Sequence, residues 1–336
     1  MTLDEIDKIE PIGSTALHVA SYRGHFRIVK LLLEAGADRA IQNKHNCLPF
    51  DEALNDDIKE LFLRVPNRNR LKSDTGAIEW ELIDDDVLEK ASEERQIIKS
   101  TYDKFNQSNT IHKMFERIEK NYIDKTLSNM NKVDIIRRFF QKASLEQDPK
   151  WLIKAYTAET DFYRVLNNEI ACGANQSQQE RRYIIALISH HPSLDTYTFI
   201  GNAYRVMQIN NENLTRYKTG CYLMTKSFLS SSIDRKVVEL HSIREENFLI
   251  GQKSAVERTK SDGTLIKVWI MCIYTIKHRR TGLHIENYSQ YANEGEILIM
   301  PHSVFQVKKV SKQNSSSLPN NPSITEIYLE ECDQYI

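Results

Sequence analysis

The chain is long enough for two or three domains, since it has 336 residues and 40% of them are hydrophobic. Its 45 lysines and arginines balance 46 aspartates and glutamates, so a net charge of -1 excludes a global field that attracts nucleic acid or an anionic membrane. The five cysteines are scattered without a Cys-x-x-Cys pair, which favours reduced thiols over zinc ligands. With an acidic start and no apolar run long enough to span a bilayer, we predict a soluble, cytoplasmic protein.

The first recognisable module combines a helix cap with two glycine stops. Thr15 is placed to cap a short helix whose Leu17 and Ala20 face inward. Gly24 ends that helix, and Gly36 ends a second one. The apolar side of the second helix is predicted to consist of Ile28, Val29, Leu31, Leu32 and Leu33.

Residues Gly13–Asp38 resemble one ankyrin repeat almost position for position. The resemblance implies a structural hydrogen-bonding role for His18 rather than a metal site. Leu48–Ala53 and Ile58–Leu63 form a degenerate second unit that resembles a cap. Such repeats normally need about three units to bury a core, so either the segment packs against later parts of the chain or upstream repeats are missing. We predict an ankyrin-repeat segment over residues 1–66 that binds a protein partner.

A charged region follows the polar break at Pro66–Arg70. Its apolar residues recur at helical spacing, which predicts a helical connector over residues 67–145. Breaks between helices are expected at Asn106–Thr110 and Ser128–Asn131. The charge runs are typical of solvated helix faces, so they predict no binding role.

Residues 146–336 show helical patterns first and strand patterns afterwards. Trp151–Asn168 and Arg182–Ser189 are apolar at helical spacing. A run of β-branched and aromatic segments follows, and this order predicts an α+β domain. Strands are predicted at Tyr197–Val206, Leu265–Ile276, Leu283–Glu286, Ile297–Met300, Val304–Val310 and Thr325–Leu329.

Three groups of polar residues accompany these strands. Arg205 is expected at the end of the first strand, where its guanidinium could hold a phosphate, although alone it is typical of a surface ion pair. Ser230 and Ser232 lie at a hydroxyl-rich strand end, with helix capping as the alternative. Glu294 and Glu296 precede a strand, where side chains two apart share a face; the alternative is a solvated turn. Their order along the chain favours one shared site.

The order Arg, aromatic-x-Ser-x-Ser, Glu-x-Glu resembles the signature of the arginine-specific mono-ADP-ribosyltransferases, over roughly Lys150–Leu329. Two departures are mild, because Val206 stands where the family often has Gly, and Ser231 where it has Thr. Further matches are Tyr156-Thr157, Tyr163–Asn167, Gly282, Ile285, Ser289, Tyr291, Leu298, Pro301, Phe305 and Val307.

The resemblance implies a mixed β-sheet ADP-ribosyltransferase core with N-terminal helices, in an α+β fold. A short all-α ankyrin-type segment and a helical connector precede this core. The predicted domains are therefore 1–66, 67–145 and 146–336, the last being catalytic.

The same resemblance implies an NAD(P)+–protein-arginine ADP-ribosyltransferase, a glycosyltransferase that moves ADP-ribose from NAD to arginine side chains and releases nicotinamide. NAD is the substrate, and no metal is required. Bond cleavage passes through an oxocarbenium-like centre, where Glu296 would supply the facing anion. Glu294 would engage the acceptor guanidinium and accept its proton. Arg205 would hold the pyrophosphate, Ser230 would brace Glu296 and the nicotinamide ribose, and Ser232 would support the turn.

Two alternatives remain open on the sequence. One is an NAD glycohydrolase of the same fold, with water as the acceptor, and the other is an inactive ankyrin-type binding scaffold. Secreted relatives carry a signal peptide and a disulfide, but a Cys221–Cys332 bridge is not expected here. Tyr291 is either a contact for the target protein or ordinary packing.

Overall fold

The computed structural model describes residues 3–63, 72–73, 80–83, 86–172, 179–210, 214–239, 267–313 and 324–333. Two compact units are present, and each is built from three segments of chain. Unit 1 comprises Met1–Val65, Phe115–Tyr163 and Glu286–Asn293, and unit 2 comprises Pro66–Met114, Arg164–Ile285 and Glu294–Ile336. The polar break at Pro66–Arg70 lies outside the described residues, so the domain boundaries 1–66, 67–145 and 146–336 remain a prediction.

The ankyrin segment of unit 1 consists of α1 (Leu3–Ile6), α2 (Ala16–Tyr22), α3 (Phe26–Glu34) and α4 (Asp56–Phe62). The Thr15 hydroxyl accepts a hydrogen bond from the His18 backbone N–H, which caps α2 as predicted. The His18 imidazole bridges Thr15 and the Cys47 carbonyl oxygen, 3.1 Å from Nε2, so its role is structural. The helices share a core of Ile6, Leu17, Ala20, Val29, Leu32, Leu33, Ala37, Ile58 and Phe62.

The prediction of the buried side of α3 is wrong for two of its five residues. Ile28 is 49% exposed and Leu31 is 64% exposed, whereas Val29, Leu32 and Leu33 are buried. The helical period of 3.6 residues explains the difference, because positions 29, 32 and 33 share one side and positions 28 and 31 turn away from it.

The remaining helices match the predicted breaks but not every predicted length. Both breaks, after residue 107 and after residue 126, are confirmed. The single helical stretch predicted at Trp151–Asn168 is two helices, because the Thr160 hydroxyl accepts from the Phe162 N–H and starts a new one. The elements are α5 (Val87–Gln107), α6 (His112–Arg117), a π-helix (Ile118–Thr126), α7 (Val133–Glu146), α8 (Lys150–Thr157), α9 (Phe162–Ala171) and α10 (Gln179–His190).

The sheet of unit 2 has eleven strands in the described part of the chain. The strand order is β2-β5-β10-β11-β7-β4-β6-β9-β8-β3, with β1 beside β4. Two pairs, β1 with β4 and β7 with β11, are parallel and the others are antiparallel. The strands are β1 (Lys72–Ser73), β2 (Trp80–Ile83), β3 (Thr198–Phe199), β4 (Gly201–Asn210), β5 (Tyr222–Thr225), β6 (Leu229–Ser232), β7 (Lys267–Ile276), β8 (Gly282–His284), β9 (Glu296–Ile299), β10 (Val304–Gln313) and β11 (Ile324–Glu331).

Core packing follows the two-residue period of the central strands. Along β7, Ile270, Cys272 and Tyr274 join one buried cluster, while Met271 and Ile273 join another on the opposite face. The predicted α+β fold, with helices followed by a mixed sheet, is confirmed. No helix among the described residues is long and apolar enough to cross a membrane.

Candidate active site

Arg205 lies in the middle of β4, not at its end as predicted. The strand continues to Asn210 because its pairing with β7 runs without interruption from Gly201 to that residue. Arg205 is only 1% exposed. Its Nη1 donates a hydrogen bond to the Ser230 carbonyl oxygen at 2.6 Å, which ties the guanidinium to the backbone of β6. The surface ion-pair alternative is therefore wrong.

The serines of β6 are buried and have different partners. The Ser231 hydroxyl donates to the Ile297 carbonyl oxygen at 3.0 Å. The Ser232 hydroxyl donates to the Glu294 carbonyl oxygen at 2.6 Å and accepts from the Asp234 N–H at 3.0 Å. Ser232 therefore fastens the turn that carries the first glutamate.

Ser230 differs from the other two serines. It is 2% exposed, and its hydroxyl has no hydrogen-bond partner within the described ranges. A buried hydroxyl without a partner costs about 1–3 kcal/mol, which a ligand hydroxyl or amide could recover. Ser230 is therefore the serine of β6 whose hydroxyl keeps unused hydrogen-bonding capacity.

The prediction that the two glutamates share one face of a strand is wrong, because they belong to different elements. Glu294 ends the short 3-10 helix Ala292–Glu294, and Glu296 is the first residue of β9. Gly295 between them has φ +51, so the alternation of a strand does not apply here. Both carboxylates are nonetheless buried, with Glu294 6% and Glu296 0% exposed, so the solvated-turn alternative is wrong.

Close packing explains why glycine occupies position 295. A Cβ there would lie 2.7 Å from Cγ1 of Ile233. The Ile233 N–H also donates to the Gly295 carbonyl oxygen at 3.0 Å. The turn between the carboxylates is therefore held against the chain that leaves β6, and its backbone has room only for a residue without a side chain.

Neighbouring strands bring the predicted site residues together. β6 lies between β4 and β9, and Ser232 pairs with Tyr204 on one side and with Glu296 on the other. From α9, the Asn167 amide donates to the Phe228 carbonyl oxygen at 3.0 Å, beside the start of β6. Arg205, Ser230, Ser232 and Glu296 thus lie on three neighbouring strands, and the Ser232 hydroxyl ties the backbone of Glu294 to them.

Two features of the structure were not predicted from the sequence. One is the contact between Ile233 and Gly295, for which the Gly in Glu-Gly-Glu was the available signal. The other is a buried polar network around Gln290 in unit 1, which includes Asp38. No pattern in the sequence links these two residues, because 252 positions separate them.

A sequence model of the NAD:arginine ADP-ribosyltransferase family matches residues 84–320, more than two-thirds of the chain. The chain belongs to this family. The family consists of transferases that take NAD as a substrate. The matched region begins at residue 84, well before the predicted catalytic boundary at residue 146, and it includes α5. A second model, of ankyrin repeats, matches residues 9–53 of this ADP-ribosyltransferase.

Individual proteins that are similar to this ADP-ribosyltransferase match either a short region or a longer one at low identity. Human ankyrin repeat domain-containing protein 29 is 47% identical over 50 residues, which are 15% of this chain and 17% of that protein. The chain spans at most 17% of the length of the curated relatives it matches. Similar solved structures include the Vis toxin of Vibrio splendidus, at 15% identity, covering 65% of this chain and 85% of that one, with a TM-score of 0.38. The ADP-ribosyltransferase HopU1 of Pseudomonas syringae is 16% identical, and the match covers 66% of this chain and 97% of HopU1 with a TM-score of 0.40.

Proposed function

We propose that this protein transfers ADP-ribose from NAD to arginine side chains of a protein acceptor and releases nicotinamide. The observation that carries the proposal is the contact between Arg205 on β4 and the Ser230 carbonyl oxygen on β6, because β6 also pairs with β9, the strand that begins with Glu296. A buried cation, a buried carboxylate and a buried hydroxyl with unused hydrogen-bonding capacity suit the diphosphate, the ribose and the nicotinamide half of NAD.

Arg205 and the serines are assigned to NAD. A guanidinium binds diphosphate oxygens through charge-assisted hydrogen bonds, which favours Arg205 as the group that holds the pyrophosphate. The Ser230 hydroxyl is assigned to the nicotinamide ribose and to Glu296. Ser232 acts on the turn, since its hydroxyl already donates to the Glu294 carbonyl oxygen.

Glu296 is assigned to the bond that breaks. As the bond between ribose C1′ and the nicotinamide nitrogen lengthens, its electron pair leaves with nicotinamide and positive charge develops on the ribose. A carboxylate that is 0% exposed faces this charge without the screening that water would impose. The anion therefore stabilises the transition state more than the ground state.

Glu294 is assigned to the acceptor. An arginine side chain is protonated in water and is a poor nucleophile, so it needs an anion to orient it and to accept a proton. One guanidine nitrogen then forms the new bond to C1′, and its proton passes to Glu294. With water in place of arginine, the same steps give hydrolysis.

Three further proposals concern the chain as a whole. The ankyrin segment at residues 1–66 binds a protein partner, as the family of repeats it matches suggests. Residues 67–145 form a connector, which also contributes β1 and β2 to the sheet, and residues 146–336 form the catalytic domain. The scattered cysteines, all free in the structure, favour a cytoplasmic site of action.

The test is turnover of labelled NAD with and without agmatine, a small guanidinium acceptor. Transfer to agmatine is the expected result. Free ADP-ribose as the only product would favour the glycohydrolase alternative. Absence of turnover by correctly folded protein would contradict both activities and leave the binding scaffold.

A further inference from the structure

The segment Glu286–Asn293, which leads directly into Glu294, belongs to the same compact unit as the ankyrin segment. Two of its residues are deeply buried, with Gln290 6% exposed and Tyr291 5% exposed. A buried amide needs hydrogen-bond partners for both its oxygen and its nitrogen. The identity of those partners shows what holds the segment.

Two consecutive residues of the ankyrin segment satisfy the Gln290 side chain. Its Nε2 donates to Asp38 Oδ1 at 2.9 Å, and its Oε1 accepts from the Arg39 N–H at 3.1 Å. The Gln290 backbone N–H donates to the Thr157 hydroxyl at 3.1 Å. The loop is therefore fixed at this residue by three hydrogen bonds, two of them to the end of the ankyrin repeat.

Asp38 is itself held in place. Lys154 Nζ donates to its Oδ2 at 2.5 Å, and the Ala40 N–H donates to its Oδ1 at 2.9 Å. Its own N–H donates to Asp7 Oδ1 at 2.8 Å. Burial alone would raise the pKa of Asp38, but the Lys154 ammonium and these hydrogen bonds hold that pKa below its usual value. Asp38 is therefore a fixed anion, not a mobile surface charge.

Arg39 contacts the segment a second time through its side chain. The guanidinium lies over the Tyr291 ring, 4.7 Å from the ring centroid, in a cation–π arrangement. Its Nη1 also donates to the Phe62 carbonyl oxygen at 3.1 Å, at the end of α4. Arg39 thus connects the last ankyrin helix with the residue next to Gln290.

We propose that Asp38 and Arg39 are positioning residues for segment 286–293 and, through it, for Glu294. The inference rests on the proposed function, in which Glu294 orients the arginine acceptor. Only three residues separate Gln290 from Glu294, so a shift of the anchored amide is passed along a short length of chain to the carboxylate. The ankyrin segment would then be a working part of acceptor recognition in addition to any partner it binds.

The test compares Arg39→Ala with a matched control, Arg23→Ala. Arg23 lies in the same ankyrin segment, and its guanidinium is 5.9 Å from the centroid of the exposed Tyr22 ring. Arg39→Ala should lower the ratio of agmatine transfer to NAD hydrolysis about tenfold, since small displacements of a positioned group are costly. The KM for NAD should stay within about twofold. A general loss of folding would instead reduce both activities together.

Hydrogen exchange gives a second readout that does not depend on activity. The Gln290 and Tyr291 amides should exchange faster in Arg39→Ala than in wild type, and at the wild-type rate in Arg23→Ala. If Arg39→Ala matches Arg23→Ala in both exchange and transfer ratio, the inference is overturned. If wild type catalyses neither reaction, the proposed function fails, while the exchange rates still decide whether Arg39 holds the segment.

A charge exchange tests the contact between Asp38 and Gln290 directly. Gln290→Glu places a second carboxylate beside the Asp38 carboxylate, and the two negative charges repel each other. Segment 286–293 should therefore move away from Asp38, and the ratio of agmatine transfer to NAD hydrolysis should fall. Adding Asp38→Asn reverses the amide–carboxylate pair and should recover at least part of the ratio. A Gln290→Glu variant with the wild-type ratio and wild-type exchange would overturn the proposal.

Discussion

Replacing Gly295 by alanine should damage both folding and turnover, because two separate costs meet at this residue. A non-glycine residue at φ +51 costs roughly 1–2 kcal/mol of backbone strain. The new Cβ would lie 2.7 Å from Cγ1 of Ile233, well inside ordinary carbon contact, and overpacking of this kind costs roughly 1–3 kcal/mol. We therefore expect Gly295→Ala to lower the free energy of unfolding by roughly 2–5 kcal/mol.

Gly220→Ala separates the two costs. Gly220 has φ +95, but a Cβ there would meet no heavy atom within 4 Å, so only the backbone strain applies. Urea unfolding should place Gly220→Ala between wild type and Gly295→Ala. Adding Ile233→Ala to Gly295→Ala removes the clashing atom and should recover the packing part of the loss, since Ile233 is 41% exposed and loses little by truncation.

Activity should respond more steeply than stability. If the chain relieves the clash by moving the turn, both carboxylates move with it, and a displacement of about 1 Å costs on the order of 10²-fold in rate. The assay is turnover of labelled NAD with agmatine at a temperature where the variant remains folded. Equal unfolding free energies for Gly295→Ala and Gly220→Ala, together with undiminished turnover, would refute the argument that packing fixes the turn.

Three other predictions concern single groups. Glu296→Gln should cost on the order of 10²-fold in both transfer and hydrolysis, whereas Glu294→Gln should abolish transfer to agmatine and spare hydrolysis. The control is Glu330→Gln, at a partly exposed carboxylate paired with Lys277, and equal losses of both activities in the two site variants would contradict separate roles. Arg205→Ala should weaken NAD binding in a direct titration, and Arg205→Lys should recover little of it because a point charge does not reproduce the guanidinium fork; full recovery with Lys would count against the assignment. Burial, with Arg95 and Lys90 nearby, lowers the pKa of His302 from its ordinary value of 6.5 to about 4. Between these two pH values the unfolded chain binds a proton at His302 and the folded protein does not, so the free energy of unfolding decreases as the pH falls. Urea unfolding should show about 2 kcal/mol of this loss at pH 5, absent in His302→Asn, a residue that tolerates the φ of +59; an unchanged pH dependence in the variant would be the contrary result.

The features that could be predicted from the sequence depend on local patterns. Thr15 caps α2 through a neighbour three positions away, and the buried side of a helix follows from its own period, so most of the ankyrin segment was predictable. Helices followed by strands gave the fold class for the same reason. The positions of Arg205, Ser230 and Glu296 along the chain singled out three strands, β4, β6 and β9, that are neighbours in the sheet.

The remaining features depend on contacts that no local pattern contains. The length of β4 is set by its pairing with β7, and this places Arg205 in mid-strand. The path between Glu294 and Glu296 depends on Gly295 packing against Ile233, and a two-residue alternation cannot express a left-handed turn. The hydrogen bond from Gln290 to Asp38 joins residues that are 252 positions apart in the sequence.

The segmented composition of unit 1 has a consequence for synthesis on the ribosome. Its last portion, Glu286–Asn293, is separated from the end of its first portion at Val65 by roughly 220 residues of chain. At the usual translation rates, Gln290 is polymerised on the order of ten to forty seconds after the ankyrin segment has been made. Once Lys154 has been made, Asp38 has its ammonium partner but still lacks the Gln290 amide, so the final hydrogen bonds of the nascent unit form only after residue 290 has been added.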